Sequence, residues 1–250
     1  MTVNFASRGF ACLLSIACLF NAVAAEEAPG PALSAHQIAA LLVSRNQERA
    51  EALKNYTGTR NYHLVYTGFP ARKEAELVVE ARFDAPNAKT FTIVSQSGSS
   101  FIVNRVLKRL LESEKEASTE EQRARTALSE QNYEFELLGY ETIAQRPAYI
   151  LQVTPKIDNK FLYRGKIWVD AGDFAVVKIE AEPAKRPSFW ISKTRIKHSY
   201  TKVGDFWLPT ENRSTTDVRL GGVATLTISY TNYQVNRDAE LSRQGNTPQP

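Results

Sequence analysis

The chain has 250 residues, of which 43% are hydrophobic and 23% charged, and its formal net charge is +4. A charge this small does not demand a nucleic-acid partner, and we expect none. The one long apolar run, Gly9 to Phe20, is shorter than the roughly 20 residues that a membrane-spanning helix needs, so we expect no such span.

The beginning of the chain has the pattern of a secretory signal. Arg8 precedes the apolar run, and the small residues Ala22-Val23-Ala24-Ala25 follow it, so we predict a signal peptide at residues 1–25 and an exported protein. Both cysteines, Cys12 and Cys18, lie before that cleavage site, so the mature chain is expected to have neither thiol nor disulfide. Lipid attachment at Cys18 is the competing interpretation.

The next segment predicts one helix and three strands. Ser34 with Gln37 three residues later is typical of a capping box and starts a helix over about 35 to 54. Apolar and polar residues then alternate from Arg60 to Thr67 and in two further runs that end near residues 83 and 93, a period of two that indicates antiparallel strands.

The period then becomes helical and later returns to two. Residues 101 to 130 are predicted as a helix pair, and seven strands follow from Glu134, joined by hairpin turns such as Asp170-Ala171-Gly172-Asp173. Ten strands and three helices in this order predict an α+β fold. A sheet of this size curls by its twist into an unclosed antiparallel half-barrel, with the helices on its concave side. We expect one domain over residues 26–236 and a flexible polar tail over 237–250.

No residue pattern nominates an active site. The spacing of His36, His63 and His198 brings no two imidazoles onto one metal, so we predict no metal and no cofactor. Ser99 or Ser100 is interpreted as a helix N-cap. Asp170 and Asp173 are interpreted as turn residues that bond to their own backbone. We therefore expect no enzyme.

Three stretches resemble the LolA-like family of bacterial outer-membrane lipoprotein-sorting proteins. They are LVVEARFDAPNAKTFTIVSQSG from residue 77, FLYRGKIWVDAGDFAVVKIEAEP from residue 161 and VGDFWLPTENRS from residue 203. The resemblance implies a periplasmic half-barrel that holds lipoprotein acyl chains between the sheet and a helical lid. Family carriers commonly have an arginine before the proline that ends the second strand, where it helps to fasten the lid. Ala85 stands at that place here, before Pro86.

The function predicted from this resemblance is that of a periplasmic binding protein in outer-membrane lipoprotein sorting, which holds acyl chains or another amphiphile in an apolar cavity. Inner- and outer-membrane proteins and peripheral contact with the membrane are the further partners that this function suggests. Strand and helix periodicity selects ten cavity-lining residues: Leu64, Tyr66, Leu77, Val79, Phe91, Ile93, Leu107, Leu110, Leu226 and Ile228.

A second hypothesis is an envelope signalling or scaffold protein. Lysines and arginines between residues 185 and 202 surround Phe189, Trp190 and Tyr200. Such a basic and aromatic face, with Trp190 and Trp207 as anchors, would bind a protein partner, and a solvated sheet face is the plainer interpretation of the same residues.

Overall fold

A computed structural model describes residues 33–86, 88–117, 119–159, 161–185, 191–219 and 221–236. The signal peptide predicted at residues 1–25 and the tail predicted at 237–250 lie outside the described residues. Within the described ranges, no helix is both long and apolar enough to cross a membrane.

The helices follow the predicted order. They are α1 (Ala35–Ala52), α2 (Ser100–Ile102), α3 (Lys108–Ala117) and α4 (Glu120–Thr126), with a π-helical segment, Val103–Leu107, between α2 and α3. The capping box of α1 is confirmed, since the Gln37 amide donates to Ser34 Oγ at 3.2 Å and the Ser34 amide donates to Gln37 Oε1 at 2.9 Å. The predicted helix pair ends earlier than expected, at Thr126 instead of residue 130, because the chain turns over residues 127–132 before the next strand.

Ten strands form one sheet, as predicted. Their bounds are β1 Asn55–Gly68, β2 Lys73–Asp84, β3 Ala88–Gly98, β4 Tyr133–Ile143, β5 Arg146–Pro155, β6 Tyr163–Asp170, β7 Val176–Pro183, β8 Ile191–Val203, β9 Phe206–Val218 and β10 Gly222–Val235. The strand order is β3-β2-β1-β10-β9-β8-β7-β6-β5-β4, and every neighbouring pair is antiparallel. Since β3 and β4 stand at opposite ends of this order, the sheet is unclosed, and the predicted α+β half-barrel is confirmed.

A single row of paired residues crosses nine strands on the inner face of the sheet. In order from β2 to β4, the row consists of Leu77, Tyr62, Ile228, Asn212, His198, Ile179, Ile167, Leu151 and Leu137. Side chains directly opposite each other in paired strands lie on the same face. The row is therefore apolar at both ends and polar at its centre.

Helices cover the two ends of this row. Ile38 and Leu42 of α1 pack against β4–β7 in what we call the α1 cluster. Leu107 and Leu111 pack against β1 and β2 in what we call the α3 cluster. The inner face of β8–β10 lies between the two clusters.

Candidate ligand cavity

The α3 cluster contains nine of the ten residues predicted to line a cavity. Leu64, Leu77, Val79 and Leu107 are buried in it, and Tyr66, Phe91, Leu110, Leu226 and Ile228 pack partly buried against it. Ile93 lies opposite Val79 but is 42% exposed, because β3 is the edge strand of the sheet. None of the ten lines the two inner cavities described next. As ligand contacts, the ten residues remain a prediction.

The first cavity lies between the C-terminal half of α1 and strands β6–β9. Its volume is about 330 Å³. Its wall includes the apolar and aromatic side chains of Leu53, Tyr163, Ile179, Tyr200, Trp207 and Leu208, and the polar side chains of Asn46 and Arg49. Pockets that bind small molecules have the same character, mainly apolar with a few polar groups, and begin at about 300 Å³.

Two tyrosines bring polar groups to this apolar wall. The hydroxyls of Tyr163 and Tyr200 form no hydrogen bond with any residue in the described part of the chain. Burial raises the pKa of Tyr200 to about 12 and holds the pKa of Tyr163 well above its ordinary value. Both groups therefore stay protonated and are able to donate a hydrogen bond to a ligand.

The polar end of the first cavity is built from α1 and the turn between β6 and β7. Arg49 donates hydrogen bonds of 2.8 and 2.9 Å to the carbonyl oxygens of Asp173 and Phe174. The Trp207 indole donates to Asp173 at 3.0 Å. Because these groups satisfy each other, they fix the position of α1 over the sheet.

A second cavity of about 330 Å³ lies on the other side of Leu53. Tyr56, Phe83, Lys89 and Glu114 contribute to its wall, and Ala50 and Leu53 line both cavities. Leu53 is half-buried at the end of α1. The two cavities therefore meet at the C-terminal end of α1, where Leu53 is the larger of the two shared side chains.

An ion cluster beside the second cavity fastens α3 to the sheet. Arg60, which is only 4% exposed, donates from Nη1 to both carboxylate oxygens of Glu114 at 2.6 and 2.7 Å. Lys89 of β3 donates to the same carboxylate at 2.7 Å. Burial acts to raise the pKa of Glu114, but Lys89 and Arg60 together lower it below its ordinary value. Glu114 is therefore charged at neutral pH, and its ion pairs with Arg60 and Lys89 hold α3 against the sheet.

The polar centre of the inner face has one unpaired acceptor and one buried histidine. Asn212 donates to the Tyr230 hydroxyl at 2.7 Å, while its Oδ1 atom is buried without a hydrogen-bond partner. His198, the residue opposite Asn212 in β8, has its pKa lowered to about 4 by burial. It is neutral at physiological pH, and it differs from His36 and His63, which pair with glutamates at the surface.

The sequence analysis missed Leu53, Tyr163 and Tyr200 as cavity residues. Within β6 and β8, every second residue faces inward, and Tyr163 and Tyr200 occupy such positions. The period of two could therefore have predicted that both face inward. No local pattern reveals that α1 covers them, because that contact joins parts of the chain more than a hundred residues apart.

The other candidate residues have structural contacts. Ser99 caps α2 by accepting from the Ile102 amide at 3.5 Å, as predicted. Asp170 accepts from the amides of Gly172 and Asp173 and from Arg146. Among the described residues, no group of three or more His, Cys, Asp and Glu side chains is placed to hold a metal ion.

The basic face of the scaffold hypothesis forms ion pairs within the chain. Lys193 pairs with Glu182, Arg195 with Asp217, Lys197 with Glu180 and Lys202 with Asp173. Arg186, Phe189 and Trp190 lie outside the described residues. The pairs fit the interpretation of a solvated sheet face.

Comparison with known proteins places the chain in a family. A family model described as "Uncharacterized protein" matches residues 115–246, which is more than half of the chain. Among curated proteins, no relative of the sequence is found.

Solved structures also match over most of the chain. A DUF1329 family protein from Desulfovibrio piger is 14% identical, with a TM-score of 0.43 and coverage of 82% of this chain and 94% of that one. A putative outer membrane lipoprotein-sorting protein domain from Vibrio parahaemolyticus is 11% identical, with a TM-score of 0.39 and coverage of 82% and 96%. The LolA superfamily protein NE2245 from Nitrosomonas europaea is 12% identical, with a TM-score of 0.34 and coverage of 84% and 97%.

All three proteins are at most 14% identical to this chain, so neither a role nor a ligand is assigned to the chain from them. The family model gives the one assignment: the chain belongs to the family described as "Uncharacterized protein", whose model matches residues 115–246.

Proposed function

We propose that this chain is an exported, periplasmic binding protein that holds an acyl chain of a lipoprotein, or another amphiphile, in the two cavities that meet at Leu53. The observation that carries the proposal is this pair of adjacent cavities, whose walls combine aliphatic and aromatic side chains. The part in outer-membrane lipoprotein sorting comes from the LolA-like resemblance of the sequence.

The energetics favour an apolar guest in this place. Each methylene that leaves water contributes roughly 0.8 kcal/mol, so a chain of about ten methylenes gains about 8 kcal/mol before its loss of freedom is subtracted. The Tyr163 and Tyr200 hydroxyls would orient the polar end of the guest. No catalytic group is required for such binding.

The ion cluster gives the site a means of opening. Arg60 and Lys89 hold Glu114, and hence α3, against one side of the second cavity. Release of this contact would widen the cavity, because α3 supplies Glu114 and Ala117 to its wall. The arginine that family carriers place before the proline has no counterpart at Ala85, and we assign its fastening role to Arg60.

The proposal is tested by lipid extraction and by binding of a fluorescent fatty acid. The purified protein is expected to release lipid into organic solvent, and the stripped protein to bind the fatty acid saturably. Leu53→Trp should weaken this binding at least tenfold by filling the space where the cavities meet. Val43→Trp is the matched control, since Val43 lies on the exposed face of the same helix.

Two results would contradict the proposal. One is a purified chain that contains no extractable lipid and binds no fatty acid. The other is an equal affinity of the Leu53→Trp and wild-type chains when circular dichroism shows both to be folded.

A further inference from the structure

Two phenylalanines project from one end of the sheet. Phe69, in the turn between β1 and β2, is 83% exposed, and Phe101, at the start of α2, is 64% exposed. The two residues that follow Phe101, Ile102 and Val103, are buried. Single exposed apolar residues are common on protein surfaces, whereas several exposed together mark a surface that binds something.

The sheet topology brings the segments of both phenylalanines to the same end. β1 ends at Gly68, β2 begins at Lys73 and β3 ends at Gly98, and these strands are neighbours. Strands in a sheet are about 4.8 Å apart, so the three strand ends span about 10 Å. The Ser99 amide donates to the Glu74 carbonyl at 2.8 Å, which ties the start of α2 to the start of β2.

A third segment joins this end from β10. The Tyr66 hydroxyl lies 2.8 Å from the Phe69 carbonyl oxygen and 3.3 Å from the Gly221 carbonyl oxygen. This contact holds the turn of Phe69 beside the start of β10, where Val223 is also exposed. Phe69 is thus carried on a fixed turn.

Cations accompany the two phenylalanines. Arg72 and Lys73 follow Phe69, and Arg105 lies one turn after Phe101; all three are exposed. Glu74 is the one carboxylate in segments 69–74 and 101–105, and it pairs with Arg72 at 2.7 Å. The combination of projecting aromatics and excess cations is typical of surfaces that bind at the boundary between acyl chains and anionic headgroups.

We propose that this end, defined by Phe69, Phe101, Lys73 and Arg105, is a contact site for the surface of an anionic lipid bilayer. The two aromatic rings enter the headgroup region and the cations bind lipid phosphates. The aromatics protrude from separate turns and do not line a groove, so they suit a fluid surface better than a shaped protein partner. The inference does not depend on the cavities beside Leu53, because it concerns the opposite ends of β1 and β2.

Sedimentation with lipid vesicles tests the proposal. The protein is used as the expressing cell processes it, with its N-terminus identified by mass spectrometry so that all compared chains begin at the same residue. Wild-type protein should bind phosphatidylglycerol vesicles more tightly than phosphatidylcholine vesicles and should lose affinity as salt rises.

The variants separate the apolar and the electrostatic contributions. Phe69→Ser with Phe101→Ser should weaken binding to phosphatidylglycerol vesicles about tenfold or more. Lys73→Glu with Arg105→Glu should weaken binding to phosphatidylglycerol vesicles about tenfold or more. Binding of this variant to phosphatidylcholine vesicles should not change. Ile157→Ser is the matched control, since Ile157 is 51% exposed and follows β5 on another part of the molecule, and it should bind as wild type does.

Any of three results would overturn the proposal. The wild-type protein could fail to sediment with phosphatidylglycerol vesicles, or the double phenylalanine variant could bind them as tightly as wild type. Light scattering could also reveal self-association that this variant abolishes, which would identify the end as a protein interface. Fatty-acid binding in solution is measured on the same variants and should be unchanged, so a failure here is distinguishable from a failure of the cavity proposal.

Discussion

Arg60 is a buried cation on the inner face of β1, next to the apolar α3 cluster. Its place in the alternation of β1 marks it as inward from sequence alone. Its partner could not be predicted, because Glu114 lies 54 residues away on a helix whose rotation depends on packing. The ion pair is therefore a feature that only the three-dimensional structure reveals.

Removal of the Glu114 carboxylate should destabilise the protein strongly. Glu114→Ala leaves Arg60 buried without its counter-charge, and we expect a loss of about 3 kcal/mol or more in the free energy of unfolding, measured with urea. Glu48→Ala breaks the exposed pair with Arg45 and should change the free energy of unfolding far less, because solvent screens the interaction between exposed charges. Equal effects of the two substitutions would mean that Arg60 is not held by Glu114.

His198 should make stability depend on pH. Its pKa falls from 6.5 to about 4 on folding, so the unfolded chain binds more protons between these values and the free energy of unfolding decreases as the pH falls through that window. The loss amounts to about 3 kcal/mol.

A matched variant isolates the histidine from the carboxylates that titrate nearby. Urea unfolding at pH 7.5 and pH 4 is compared for wild type and His198→Gln, which keeps a polar side chain but does not titrate. The wild type should lose about 3 kcal/mol more than the variant over this range. The same loss in both chains would show that His198 does not resist protonation in the folded state.

At the scale of elements, Gly98 sets the junction between β3 and α2. Its φ angle is +80°, and a Cβ atom there would collide with the Glu74 carbonyl oxygen. Gly98→Ala should therefore reduce the free energy of unfolding by about 2 kcal/mol or more, measured with urea. Gly204→Ala is the control: its φ is +60° but no atom lies within 4 Å of the added Cβ, so about 1 kcal/mol is expected. If Gly98→Ala destabilises the protein no more than Gly204→Ala does, contact with the Glu74 carbonyl oxygen is not what requires glycine at position 98.

The elements themselves were largely predictable. Alternation identified all ten strands, because each half-buried strand repeats its pattern every second residue. The capping box located α1. The end of the helix pair was placed four residues too late, since residues 127–132 contain neither glycine nor proline to signal a helix stop before β4 begins.

At the scale of the whole molecule, the register of the sheet places the helices and the space between them. The row from Leu77 to Leu137 has apolar residues where α1 and α3 pack, and Asn212 with His198 between these regions. Sequence periodicity predicts which residues face inward, but not which inward residues meet a helix and which meet a cavity. The predicted lining set therefore falls in the packed α3 cluster, and the cavities lie on either side of Leu53.

Photocrosslinking tests the location of the guest most directly. The protein is loaded with a fatty acid that has a diazirine group in its acyl chain, irradiated, and digested for mass spectrometry. We predict labelled peptides that contain Leu53, Tyr200 or Leu208, from the walls of the first cavity. Labels confined to Leu77, Val79 and Leu107, or no specific label at all, would contradict the account.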